Sequence, residues 1–348
     1  MKYAFKDIAF NSTEKRIPVE EDRLTYIGLE HLDSRKLAIS RFGSDVPLKG
    51  EKLVMKKGDI LFGKRNTYLK RVAIAPFDGL FSAHGMVLRP NEEVISKEFF
   101  PFFLSSDYFL DEAIRISVGS LSPTVNWKDL RDLEFDIPDF NRQHELAQFL
   151  SAANNLRESY EKMIVAIDEM VKSQFIEMFS SSIDNTHRVS DYFGLKAGKS
   201  ISAEDINASN ENNLYPCYGG NGLRGFVKDF THDGDYVLIG RQGALCGNIQ
   251  LASGRFYATE HAIVVSPKQK TSPIWLFYAF SAMNLNQYAR GVAQPGLAVG
   301  QLEQLPFQMP EFVEQESFSR IAVQADKSKF ELKKAIEKIN TVMRAFMQ

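Results

Sequence analysis

The stretch Gly58-Asp59-Ile60-Leu61-Phe62-Gly63-Lys64-Arg65 returns later in the chain as Gly234-Asp235-Tyr236-Val237-Leu238-Ile239-Gly240-Arg241. The echoes continue in order. His84-Gly85-Met86-Val87-Leu88-Arg89-Pro90 is answered by His261-Ala262-Ile263-Val264-Val265-Ser266-Pro267. Pro123, Leu130, Leu133, Phe135 and Pro138 then match Pro295, Leu302, Leu305, Phe307 and Pro310 at a constant offset of 172, and Gln143 and Gln315 continue it. Matches in one order at nearly constant spacing mean duplication. Solenoid units run about 20–50 residues, so a repeat this long is a domain. The 348 residues are one module used twice, and a pseudo-twofold relation between the copies is expected.

Each copy has two parts. Short β-rich runs come first: Asp59–Phe62, Val72–Ala75 and Met86–Leu88 in one copy, Tyr236–Ile239, Asn248–Ala252 and Ala262–Val265 in the other. Gly, Pro and Asn turns separate them. Lys97–Ile116 and Ser272–Tyr288 read as helices. A long helix follows in each copy. From Arg142 to about Phe179 there is neither Pro nor Gly. Apolar positions at Leu146, Phe149, Ala153, Leu156, Tyr160, Met163, Ile167 and Met170 alternate steps of three and four, the heptad row of a coiled coil. The offset of 172 carries the row to Phe318, Ile321, Ala325, Ser328, Leu332, Ala335, Ile339, Val342 and Phe346. Two helices with one register are expected to pack on each other, with these rows as core. Glu158, Glu161 and Lys162 fall on the outer face. A helix of about 37 residues is roughly 55 Å long, the length of about 16 base pairs of B-DNA.

Composition removes several classes. Hydrophobic residues make up 44% and charged residues 25%, a globular and not a disordered balance. No apolar run approaches the roughly 20 residues of a membrane helix, and Met1–Asp7 lacks the apolar core of a secretory signal. No membrane partner is expected. Two cysteines, Cys217 and Cys246, make no disulfide framework and have no Cys/His cluster for zinc. Reduced thiols fit a cytoplasmic protein. The formal net charge of −2 argues against a general polybasic nucleic-acid binder.

The order globule, long helix, globule, long helix resembles the specificity (S) subunit of type I restriction–modification enzymes. Leu214-Tyr215-Pro216-Cys217-Tyr218-Gly219-Gly220-Asn221-Gly222-Leu223-Arg224-Gly225-Phe226 is similar to a glycine-rich segment of that family's target-recognition domains. Leu130-Arg131-Asp132-Leu133-Glu134-Phe135-Asp136-Ile137-Pro138, followed by Gln143-His144-Glu145-Leu146, resembles the family's entry into its helix. The resemblance covers essentially the whole chain. It implies an α+β fold: two similar mixed α/β target-recognition domains, residues 1–140 and 181–312, with two long antiparallel coiled-coil helices, residues 141–180 and 313–348. It implies no catalytic centre, no metal and no cofactor in this chain. The implied partners are double-stranded DNA with a split target, two methyltransferase (modification) subunits, and restriction (translocase/nuclease) subunits.

The residues agree that chemistry lies elsewhere. A DNA adenine methyltransferase needs an Asn/Asp-Pro-Pro-aromatic motif for the flipped base, and the chain has no Pro-Pro pair. Gly219-Gly220-Asn221-Gly222 is glycine-rich, but no helical apolar repeat follows to make it a cofactor turn. Pro138-Asp139 has no Asp/Glu-x-Lys nearby. The first such triplet, Glu331-Leu332-Lys333, is in the far helix. His84 and His261 hold equivalent places without shared acidic partners, which favours a structural role.

Charge locates the candidate DNA contacts. Residues 1–185 carry 25 Lys+Arg against 29 Asp+Glu, residues 186–348 carry 17 against 15, and residues 35–71 carry 11 against 3. The basic segment supplies Arg35, Lys36, Arg41, Lys56, Lys57, Lys64, Arg65, Lys70 and Arg71 for phosphates. Arg65 and Asn66, after a strand, are placed to read guanine and adenine edges. In the second copy the candidates are Tyr218, Asn221, Arg224, Lys228, Arg241 and Gln242, the last two standing where Lys64 and Arg65 stand in the first. The competing class is a protein-binding adaptor with duplicated domains on a coiled-coil spacer. A specificity subunit of a related phage-defence methylation system is the third reading.

Overall fold

The computed structural model describes residues 1–179, 186–210, 213–243, 245–291 and 295–347. The boundary expected between residues 180 and 181 lies outside them. The chain forms two compact units. The first holds Met1–Glu161 and Lys333–Gln348, the second Lys162–Leu332. Each unit thus contains a globule and a part of both long helices.

In the first unit the duplicated stretch is an inner strand. The sheet order is Ala9–Ser12, Met86–Pro90, Ile60–Phe62, Val72–Ile74, antiparallel throughout. Successive side chains of a strand face opposite ways, and both faces here are covered. Ile60, Phe62, Met86 and Leu88 enter a core with Phe100, Phe103 and Phe109 and with Leu146, Ala147 and Leu150 of the long helix. Leu61 and Val87 point to the other side and meet Ile27, Leu53, Met55 and Phe81 of a second sheet. That sheet runs Lys15–Arg16, Lys52–Met55, Gly79–Phe81, Tyr26–Ile27, its last pair parallel.

The second unit repeats the plan. Phe193–Ala197, Ala262–Pro267, Tyr236–Gly240 and Ile249–Ala252 form the first sheet. Val237, Ile239, Ile263 and Val265 pack on Trp275, Leu276 and Phe280. Leu238 and Val264 face Phe256 and Ala258 of the other sheet. That sheet is ordered Gly222–Val227, Tyr215–Gly219, Arg255–Ala258, His232–Asp233. Here the copies differ. Tyr26–Ile27 and Tyr215–Gly219 both run parallel to their inner partner, so they correspond. The fourth strand, however, joins opposite edges. Lys15–Arg16 pairs with Lys52–Met55, whereas Gly222–Val227 pairs with Tyr215–Gly219.

The helix expected over Lys97–Ile116 is two, Phe100–Ser105 and Asp107–Arg115. Ser106 between them is extended, and its Oγ accepts from the Phe109 N–H as an N-cap. Ser272–Tyr288 likewise divides into Pro273–Ala282 and a short 3-10 turn, Leu285–Tyr288.

The long helices run Phe140–Phe179 and Phe312–Phe346. Gln143 and Gln315, both almost fully buried, fasten their starts in one way. Gln143 Oε1 accepts from the Ser96 N–H (2.6 Å) and Nε2 donates to the Pro138 carbonyl (2.9 Å). Gln315 Oε1 accepts from the Ser272 N–H (3.0 Å) and Nε2 donates to the Pro310 carbonyl (2.9 Å).

The helices are antiparallel within each unit. In the first unit the Phe149 and Phe346 rings lie 4.5 Å apart and Arg157 faces Asn340. In the second, Phe175 and Phe318 lie 5.2 Å apart and Asp168 meets Lys329. In the first helix the packing row is one residue away from the expected one, while in the second the expected Phe318 and Ala325 are buried beside Ser319 and Ala322. Gln143, Ala147, Leu150, Asn154, Arg157, Val171 and Phe175 are buried. Of the expected row, Leu146, Phe318 and Ala325 are buried, and Ala153, Tyr160, Ile167, Ile321, Leu332, Ala335 and Ile339 are half-buried. Phe149, Leu156, Met163, Met170, Val342 and Phe346 are 41–51% exposed. The cause is polar occupancy. Asn154, Arg157, Glu161 and Asp168 stand on the true row and are hydrogen-bonded or ion-paired there. A row chosen for apolar residues therefore slips by one position. Glu161 and Glu158 are accordingly not free on an outer face: Glu161 pairs with Lys36, and Glu158 accepts from Asn154.

Candidate nucleic-acid interface

The loop after the duplicated strand is held the same way in both units. In the first, the Asn66 N–H donates to the Pro123 carbonyl (2.7 Å), Arg65 bridges Thr124, and the Val125 N–H donates to the Lys64 carbonyl (3.0 Å). In the second, the Gly243 N–H donates to the Pro295 carbonyl (3.0 Å), Gln242 bridges Gly296, and the Leu297 N–H donates to the Arg241 carbonyl (2.8 Å). The turn needs a left-handed residue. Asn66 (φ 54°) and Gly243 (φ 91°) are types that tolerate it. Lys64 and Arg65 thus match Arg241 and Gln242 in space as well as in sequence.

The basic candidates of the first unit separate by environment. Arg65 is exposed, and its guanidinium makes a long contact (3.4 Å) to Ser122 Oγ. Lys64 is half-buried, and burial, then nearby Lys15, pull its pKa below the ordinary lysine value. Arg71 donates to the Leu29 and Arg65 carbonyls, both at 2.9 Å, so it braces the loop. Arg35 and Lys70 share Asp107 (2.7 and 2.5 Å), and Lys70 also meets Asp111. Burial raises the Asp107 pKa, but hydrogen bonds from Arg35 and Lys70 outweigh it and leave it below its usual value. Lys36 pairs with Glu161 (2.7 Å) and Arg41 with Asp33 (3.0 Å). The exposed Arg41–Asp33 pair is worth only about 0–1 kcal/mol, so a phosphate can displace it, whereas Lys70 is mostly buried in its pair with Asp107. Asn66 is half-buried, and its Oδ1 has no partner among the described residues.

In the second unit the glycine-rich segment is the hairpin Tyr215–Gly219 and Gly222–Val227. Its tip forms one wall of a cleft of about 450 Å³, where Asn221, Arg224, Gln242 and His261 meet. Gly220 lets the backbones approach closely there, since a Cβ would stand about 3 Å from the His261 and Gln242 carbonyl oxygens and crowd them. Arg241 is half-buried beside the Glu260 carbonyl. Tyr218 packs edge-on to Phe256, and Lys228 is exposed outside the cleft lining.

Glu260, which stands beside His261 without a counterpart beside His84, meets it in the structure. His261 Nε2 lies 3.2 Å from Glu260 Oε1, while His261 Nδ1 and Glu260 Oε2 have no partner among the described residues. What the copies share is a turn. The His84 and His261 N–H groups face the Ser82 and Thr259 hydroxyls at 3.3 and 3.4 Å, and the His84 side chain is exposed. No group of three or more His, Cys, Asp or Glu placed to hold a metal ion occurs among the described residues. None of their helices is long and apolar enough to cross a membrane.

Comparison with known proteins gives one answer. The family described as "Type I restriction modification DNA specificity domain" matches residues 32–167 and again 185–342. The chain is similar to the type I restriction enzyme EcoprrI specificity subunit of Escherichia coli, with 56% identity over 117 residues, 33% of this chain and 29% of that protein. It is also similar to a putative type I specificity subunit, S.HindORF215P, of Haemophilus influenzae, with 33% identity over 98 residues, 27% of this chain and 26% of that one. The matched parts thus span under a third of these relatives. Among solved structures, the type I restriction–modification S subunit from M. genitalium covers all of this chain and 94% of its own, with TM-score 0.63 and 15% identity. At that identity the likeness is one of fold.

Proposed function

The chain belongs to the type I restriction modification DNA specificity family, and from that premise we propose that it is the sequence-reading subunit of a restriction–modification complex. Its two target-recognition domains, residues 1–140 and 181–312, read the two halves of a gapped double-stranded DNA target. It performs no chemistry itself. Methyltransferase subunits, two per chain, supply methylation, and restriction (translocase/nuclease) subunits supply cleavage.

The observation that carries this reading is the equivalent loop in the two units. Lys64-Arg65-Asn66 and Arg241-Gln242-Gly243 hang from the same backbone bonds but carry different side chains. One scaffold with different polar groups is what two dissimilar half-sites require. Arg65, Asn66, Asn221, Arg224 and Gln242 are assigned to base edges. Arg35, Lys36, Arg41, Lys64, Lys70, Lys228 and Arg241 are assigned to phosphates. Arg71 and Tyr218 hold the reading loops in place.

The test is reconstitution with the methyltransferase partner, followed by sequencing of methylated bases in random DNA. One gapped motif is expected. Arg65→Ala relaxes one half of it and Gln242→Ala the other, at about 1–3 kcal/mol of discrimination per lost bidentate contact. A contiguous motif, or none, rejects the assignment.

A further inference from the structure

We propose that the first unit contains an oxyanion pocket centred on Arg157, which takes a phosphate-bearing small molecule. The duplication supplies the argument. Arg157 and Lys329 are equivalent, 172 residues apart. Lys329 is mostly buried and fully compensated, its Nζ 2.6 Å from Asp168 and 2.8 Å from Asp326. The equivalents of those two acids are Asn340 and Asn154. Both keep their places. Asn154 Oδ1 accepts from Arg157 Nη2 at 2.6 Å, and Asn340 Oδ1 stands 3.5 Å from Nη1. The geometry is retained and both negative charges are gone.

Arg157 is nonetheless buried, 8% exposed. Its Nη1 also makes a long contact (3.5 Å) to the Arg35 carbonyl, and its buried Nε has no partner among the described residues. The nearby acids Glu161 and Glu158 are engaged by Lys36 and Asn154. A buried charge without a counter-charge is costly, and a guanidinium cannot escape the cost by losing its proton. A cavity of about 260 Å³ adjoins Arg157, with Arg344 and the Lys36–Glu161 ion pair on its wall. That is far more than one water needs. A planar fork of donors with one further cation, Arg344, suits a charged oxygen anion.

The experiment uses the full chain without DNA or partners, so it is independent of the reading proposed above. Thermal unfolding is followed during titration with inorganic phosphate, with acetate at equal ionic strength as the control. Phosphate is expected to raise the Tm by about 2–4 °C and acetate to leave it unchanged. Arg157→Met removes the shift. The double variant Asn154→Asp, Asn340→Asp restores the carboxylates of the second unit. It is expected to fold, to be stabler without phosphate, and to lose the response. No shift in the unmodified chain, an equal shift with acetate, or the same shift in all three proteins overturns the proposal.

Discussion

Gln143 and Gln315 show how much one side chain can decide. Each is buried where a globule becomes a long helix, and each satisfies an N–H from one segment and a proline carbonyl from another. Removing either strands two buried polar groups. Gln143→Ala and Gln315→Ala are each expected to destabilise by about 1–3 kcal/mol in urea unfolding. The constant offset already marked both glutamines in the sequence, but not their task. Ser96 lies 47 positions from Gln143 and carries no local sign of the bond. Ion pairing was hidden for the same reason. Lys36 and Arg35 read as free cations because Glu161 and Asp107 stand 125 and 72 residues away.

At the scale of elements, the strands were the most legible part, since their apolar alternation reports burial on two faces. The runs read at 59–62, 236–239 and 262–265 recur as Ile60–Phe62, Tyr236–Gly240 and Ala262–Pro267. The helix row was not legible to one residue, because amphipathic periodicity cannot tell a seam filled by paired polar groups from an exposed face. This difference is measurable. Leu150→Ala, at a fully buried position, is expected to cost about 2–5 kcal/mol. Leu156→Ala, at a position 44% exposed, is expected to stay within about 0.5 kcal/mol. Thermal unfolding of the two variants decides between the rows. Equal losses would restore the row of Leu156. The break at Ser106 was hidden too, since a serine cap is as compatible with a turn as with a helix start.

Across the whole molecule, duplication was readable because it is a property of order and spacing, which single substitutions do not erase. Divergence between the copies was not, because it lies in how strands join. The proposed function makes this testable. Replacing residues 215–228 by an unrelated hairpin of the family is expected to change one half of the methylated motif and leave the other half and the gap intact. A change in both halves would mean that the globules do not read separately. The same divergence bears on how new specificities arise. The three strands common to the two second sheets keep their partners whichever margin the fourth one occupies. Adding a strand at a margin creates one new ladder and disturbs none, so a lineage can discard a hairpin on one side and acquire another opposite without rebuilding its core. Such a margin is where mutation can explore targets while stability stays nearly constant.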